Sequence, residues 1–265
     1  MKNKTRLDKL IVDLGIVKSR ERARALIMEG KVYVRGQRVD KAGSMVLPDE
    51  EILLKGEDIP YVSRGGIKLE KALEEFQIKV KGKVAMDIGA STGGFTDCLL
   101  KKGIERVYAI DVGYGQLDWS LRNDRRVVNL EEKNIRYLKE DNLPEKTDLA
   151  VIDVSFISLT KVIPKVLEFL KKSGVIIALV KPQFEVGKGE VGKGGIVKSK
   201  EKHRVVLLKM VEFVIANNLF VKGMIKSPIL GQKGNKEFFL YLSKSEYGLN
   251  SEEILDKLDK LTEEN

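Results

Sequence analysis

The sequence predicts an α/β fold, a mostly parallel seven-stranded sheet wrapped by helices and preceded by a small α+β domain. Three observations carry the prediction. From Arg64 onward, apolar strand-like runs alternate with helical periodicity, the pattern of a parallel sheet covered on both faces. Asp87, Asp111, Asp153 and Lys181 stand at the ends of four of those runs, where such sheets bind their ligands. Residues 1–41 are a separate basic segment, with 12 Lys and Arg against 5 Asp and Glu. The chain as a whole has 265 residues and a net charge of +9, which favours a polyanionic partner.

The elements follow in order. Leu7, Leu10, Ile11 and Leu14 have helical spacing, and Gly15 stops the run. Ser19 is the expected N-cap of a second helix that turns Ala23, Leu26 and Ile27 inward and ends at Gly30. Val32, Val34 and Val39 suggest strands around a turn at Arg35-Gly36-Gln37, and Val46 with Ile52–Leu54 adds a final strand. Gly56 and Pro60 punctuate the junction. The division expected is a domain at 1–58, a linker at 59–63 and a second domain at 64–265. A helix is predicted near 66–76. Strands are predicted near 84–87, 107–111, 127–130, 149–153, 175–180, 221–226 and 237–242, and an acidic amphipathic helix over 251–261.

Composition excludes several classes. No apolar run reaches the ~18 residues of a membrane span. The first residues lead straight into an amphipathic pattern, so no signal peptide is expected. The single cysteine, Cys98, rules out an internal disulfide and a cysteine-rich zinc site, and no metal is expected. A cytoplasmic protein is the expectation.

Residues 84–95 read Val-Ala-Met-Asp-Ile-Gly-Ala-Ser-Thr-Gly-Gly-Phe. An apolar strand runs through Asp87 into a loop with Gly89, Gly93 and Gly94, and a helix follows from Phe95. Glycines let a backbone turn sharply and approach a ligand. Asp111 ends the next strand, where a carboxylate accepts the hydroxyls of a ribose. The loop lacks the G-x-G-x-x-G spacing that holds a pyrophosphate. The favoured ligand is therefore a nucleoside without phosphates, S-adenosylmethionine; a dinucleotide and a purely structural turn stay open. Asp87, Gly89, Ser91, Gly93, Gly94, Phe95 and Asp111 are the expected cofactor residues, with Asn134 a further candidate beside the adenine.

Lys68, Asp153, Lys181 and Glu237 abut apolar strands or lie just before the first one. Charges there are costly to bury unless paired, which suits an ion-pair cluster as well as a catalytic one. Here a resemblance becomes specific. The second domain resembles the FtsJ-type 2′-O-ribose methyltransferases, whose Lys-Asp-Lys-Glu tetrad falls on these four residues in order. The first is similar to the S4 RNA-binding domain over roughly residues 5–55, through Arg6-Leu-Asp-Lys-Leu, Gly15, Ser19-Arg20, Ala23, Ile27, Gly30-Lys-Val-Tyr-Val, Gly36 and Val39. With Ser63-Arg-Gly-Gly-Ile-Lys-Leu, Asp153-Val-Ser-Phe-Ile-Ser and Val180-Lys-Pro-Gln-Phe-Glu, the chain resembles the TlyA family, whose members are named hemolysin A or rRNA cytidine-2′-O-methyltransferases.

The resemblance implies a Rossmann-like class I methyltransferase fold, S-adenosylmethionine as methyl donor and ribosomal RNA or ribosomal subunits as partner, with no membrane and no stable protein partner. A ribose hydroxyl is a poor nucleophile, and a lysine of lowered pKa can take its proton. Lys181 is assigned that role, with Lys68 tuning it and Asp153 and Glu237 orienting the pair. RNA contacts are expected from Arg6, Arg20, Arg24, Lys31 and Arg64, and from a cationic loop holding Lys188 and Lys193. That loop, Gly187 to Gly194, nearly matches a phosphate-binding loop but lacks its Ser or Thr and its strand-to-helix context. His203 is expected on a helix surface, Trp119 packed near the cofactor side, and Cys98 packed. Two other readings compete: a membrane-lysing protein, which needs an inserting segment, and a non-catalytic RNA-binding module, which an intact tetrad disfavours.

Overall fold

Short-range signals build the first helices of this computed structural model, which describes residues 4–17, 19–54, 59–187, 189–245 and 247–263. Its contacts divide the chain into two units, 1–59 and 60–265. In the first, β1 (Thr5–Arg6) leads into α1 (Leu7–Asp13), and α2 spans Arg20–Met28. The Ser19 side chain accepts the Arg22 amide at 3.2 Å, the expected N-cap. β2 (Val32–Val34) and β3 (Gln37–Arg38) form a hairpin, and Arg35 and Gly36 both take positive φ at its turn. β4 (Met45–Val46) and β5 (Ile52–Leu54) are separate strands: β5 pairs with β2, whereas β4 pairs with β1. Val46 therefore does not share a strand or a sheet with Ile52–Leu54. Its partner, Thr5, is distant in sequence, and local patterning carries no trace of that pairing. Leu7, Leu10, Ile11, Ala23, Leu26, Ile27, Val32 and Val34 form the core of the unit.

The second unit opens with α3 (Gly65–Glu75) and alternates β6 (Val84–Ile88), α4 (Gly94–Lys101), β7 (Arg106–Ile110), α5 (Trp119–Arg122), β8 (Val127–Leu130) and β9 (Thr147–Ile152). It continues with α6 (Ile163–Phe169), β10 (Leu170–Val180), α7 (Pro182–Glu185), α8 (Lys200–Ala216), β11 (Phe220–Lys226), β12 (Phe238–Ser243) and α9 (Ser251–Glu263). The seven strands lie in the order β11-β12-β10-β9-β6-β7-β8. β6 to β10 run parallel, and β12 inserts antiparallel between β10 and β11. Met86, Ile152, Ala178, Val180 and Leu240 are fully buried, as befits strands covered on both faces. β10 begins earlier than its apolar run suggests, with a register shift between Leu170 and Val175. Among the described residues no helix is long and apolar enough to cross a membrane.

Candidate active site

Parallel strands end together, so the loops after β6, β7, β8, β9 and β10 meet at one edge of the sheet. The Gly89 amide donates to the Ile110 carbonyl at 2.9 Å, and the Asp153 amide to the Ile88 carbonyl at 2.9 Å. Gly89 has φ +83°, and a Cβ there would stand 2.6 Å from the Asp153 carbonyl oxygen. Only glycine fits this crossing of the β6 and β9 exits.

Asp111 organises the neighbouring loop. One carboxylate oxygen accepts the Ser91 amide and the other the Gly113 amide, each at 2.8 Å. Each oxygen keeps a lone pair for a further donor. Asn134 follows β8 and caps the Arg136 amide at 3.1 Å; the Lys133 amide donates to the Asp111 carbonyl, which ties its loop to the loop after β7. Asp87 lies beneath these loops with no exposed surface. One of its oxygens accepts the Thr96 hydroxyl at 2.7 Å and the other has no partner. Burial pushes this carboxyl up to about 7, and Asp153 and Asp111 add to the rise. Two sequence expectations change here. Phe95 does not line the loop: its ring is buried, 6.2 Å from that of Phe239. Trp119 does not pack: it begins α5 with 71% of its surface exposed.

The four charged residues assemble as two ion pairs. Lys68, on the buried face of α3, meets Glu237 at 2.6 Å. Lys181, just past β10, meets Asp153, just past β9, at 2.6 Å and donates to the Ser155 hydroxyl at 3.0 Å. Val180 faces Phe238 across the β10–β12 ladder, so Lys181 and Glu237 leave adjacent strands side by side. The loop before Glu237 closes on it, and a Cβ at Gly231 would stand 1.9 Å from its carboxylate. Arg64, exposed at the start of α3, donates to the Leu230 carbonyl of that loop at 3.2 Å.

The turn after β9 and the helix after Lys181 are locked together. Glu185 accepts the Ser158 hydroxyl at 2.5 Å and the Leu159 amide at 2.8 Å, and burial raises its pKa. The Phe156 and Phe184 rings pack at a tilt of 49° with centroids 5.0 Å apart. Phe156 takes φ +63°, strained for a bulky residue, and is 90% exposed. In the sequence, the motif Asp153-Val-Ser-Phe-Ile-Ser speaks through the family resemblance alone. Its signal for Phe156 was an aromatic residue at a strand-end turn.

Several basic residues are engaged within their own domain. Arg6, Arg20 and Arg24 each contact Asp8 at 3.0 Å, and Lys31 pairs with Glu29 at 3.0 Å. Lys188 and the side chain of Lys193 lie outside the described residues. The glycine stretch opens no helix after a strand, because α7 intervenes. His203 is not on a helix surface: it is buried, with Nε2 2.9 Å from the Val197 carbonyl and its ring edge-on to Phe238. Burial lowers its pKa. Cys98 is fully buried.

Comparison with known proteins gives this geometry a context. Residues 61–244 match the model of the FtsJ-like methyltransferases, and residues 5–52 match the S4 domain. The chain is 46% identical to YqxC of Bacillus subtilis (strain 168), provisionally named an rRNA methyltransferase, over 95% of this chain and 90% of that protein. It is 42% identical to the 16S/23S rRNA (cytidine-2′-O)-methyltransferase TlyA of Mycobacterium tuberculosis (strain CDC 1551 / Oshkosh), over 91% of both chains. A solved structure from Streptococcus thermophilus, provisionally named a hemolysin, superposes with a TM-score of 0.77 at 42% identity, over 99% of this chain and 95% of that one.

Proposed function

Since the chain belongs to the FtsJ-like methyltransferase family and carries an S4 domain, we propose that it methylates the 2′-hydroxyl of a cytidine ribose in ribosomal RNA, with S-adenosylmethionine as donor. The observation that carries this is the pair of ion pairs, Lys68–Glu237 and Lys181–Asp153, beside the glycine loop. Ribosomal subunits as substrate place the enzyme in the cytoplasm.

The cofactor fits the residues present. The unpartnered Asp87 oxygen suits a positively charged ligand above the loop, and the spare lone pairs of Asp111 suit a ribose diol. Gly89, Ser91, Gly93 and Gly94 shape the loop between them, and Asn134 borders the adenine end. When bound, S-adenosylmethionine supplies a methyl group already activated by its sulfonium, so the protein's task is alignment and proton removal.

Lys181 takes the proton of the 2′-hydroxyl as the oxygen attacks. Asp153, 2.6 Å from its Nζ, and the Ser155 hydroxyl, which accepts from it at 3.0 Å, hold the amine in one place for the hydroxyl. Lys68, held by Glu237, adds positive charge beside the forming alkoxide. The exposed Phe156 ring, backed by Phe184, offers a face on which the target base can stack. Arg64 flanks the same edge, and the S4 domain supplies phosphate contacts.

The test is incubation of the protein with labelled S-adenosylmethionine and purified ribosomal subunits, followed by mapping of 2′-O-methyl groups. Label on a cytidine ribose is the expected result. A folded protein that binds the cofactor but labels no ribosomal RNA would overturn the proposal.

A further inference from the structure

Asp8 sits in the first turn of α1 with no exposed surface, and three arginines close over it. Arg6 reaches it from β1 through Nε and Nη2, both at 3.0 Å. Arg20 and Arg24, one helical turn apart on α2, each place Nε 3.0 Å from Oδ2. The three side chains remain 45%, 43% and 48% exposed. Arg6 above all holds the Asp8 carboxyl well below the usual carboxylate range, so the charge persists at any working pH.

Three guanidiniums this close would repel one another and splay apart if nothing held them. One shared carboxylate neutralises a single charge, leaves the cluster at +2, and fixes three otherwise flexible side chains in one orientation. Flexible arginines lose rotamer freedom when they grip a ligand, whereas ordered ones have lost it already. A guanidinium fork matches phosphate geometry only when it is correctly aimed.

We propose that Asp8 is a positioning residue for RNA binding, setting Arg6, Arg20 and Arg24 as one preorganised surface for neighbouring phosphates of a folded RNA backbone. The inference rests on the reading of ribosomal RNA as substrate. It has a consequence opposite in sign to simple electrostatics. Removing a negative charge from a basic RNA-binding face strengthens binding if only net charge counts. Removing Asp8 weakens it if the carboxylate organises the face.

The experiment measures the affinity of the full-length protein for ribosomal RNA over a salt series. Asp8→Asn is expected to bind about five- to tenfold more weakly at each salt concentration, with cofactor affinity unchanged. Arg20→Lys keeps the charge but loses the fork on Asp8, and is expected to weaken binding about threefold; it serves as the measure if Asp8→Asn fails to fold. Folded Asp8→Asn that binds as tightly as wild type or more tightly overturns the inference, as does an unchanged Arg20→Lys. The underlying reading fails differently: combined Arg6→Ala, Arg20→Ala and Arg24→Ala would then leave RNA affinity untouched.

Discussion

Lys68 and Glu237, 169 residues apart in the chain, meet at 2.6 Å with both side chains almost wholly withdrawn from solvent. The contact joins the helix that precedes the sheet to a strand inserted near the end of the chain. Breaking a buried pair leaves a charge without a partner. Lys68→Ala or Glu237→Ala should therefore each cost about 3–5 kcal/mol of stability. The double substitution should cost clearly less than the sum of the two, because it strands no charge. Urea unfolding of the three variants tests this, and additive losses would mean the two groups do not stabilise each other.

Lys181 should show the opposite balance. Lys181→Ala in a folded protein should lower the single-turnover methylation rate by about 10²–10⁴-fold, the range of general-base catalysis. Ser155→Ala removes one of two groups holding the amine and should cost about tenfold or less, from the loss of a single hydrogen bond of about 1 kcal/mol. Cofactor affinity, read by calorimetry, should stay close to wild type in both. A near wild-type rate in Lys181→Ala would remove the lysine from its assigned role.

Asp87 predicts a pH dependence of cofactor binding. Its carboxyl titrates at about 7 in the folded protein, raised by burial above the ordinary value. A cationic ligand favours the ionised form, so affinity should rise with pH across 7 and binding should release a proton. Stability moves the other way. The contribution of Asp87 is fully present below its unfolded pKa and is lost as pH rises through about 7. Asp87→Asn should flatten the affinity profile and make the free protein relatively more stable at pH 8. Titration calorimetry between pH 6 and 8 reads the first effect and thermal melts the second. A wild-type affinity that does not vary over this range would contradict the placement of the ligand's charge above Asp87.

Glu185 clamps the Ser158–Leu159 turn onto the helix that follows Lys181. Glu185→Ala leaves a buried amide without its acceptor and should destabilise the protein by about 1–3 kcal/mol. The clamp ties the helix that follows Lys181 to the turn that follows Asp153, so on its loss kcat should fall while cofactor affinity is kept. Glu185→Gln retains an acceptor and should recover most of the stability. If both variants turn over at the wild-type rate, the clamp has no part in aligning the amine.

The sheet was legible in the sequence because its strands are short apolar runs with charges beside them. Val84–Ile88, Val127–Leu130 and Phe238–Ser243 all declare themselves this way. The tetrad was legible through resemblance, since nothing local pairs Lys68 with Glu237. Features that depend on tertiary partners were not legible. His203 reads as a helix-surface residue until Val197 and Phe238 enclose it. Asp8 reads as one more polar residue of an amphipathic helix, because its partners Arg20 and Arg24 arrive from a different helix. Trp119 reads as core on hydrophobicity alone, yet it projects into solvent from a helix of four residues.

The insertion of β12 between β10 and β11 bears on how the molecule matures during synthesis. A ribosome making this chain finishes Lys68, Asp153 and Lys181 well before Glu237, and β12 must then pair with β10 on one side and β11 on the other. Until it does, the glycine loop and the strands that carry it can form, but Lys68 has no counter-charge. A nascent chain stalled anywhere before residue 237 would hold a cofactor cradle without a finished catalytic edge, so competence arrives only with one of the last strands to be translated.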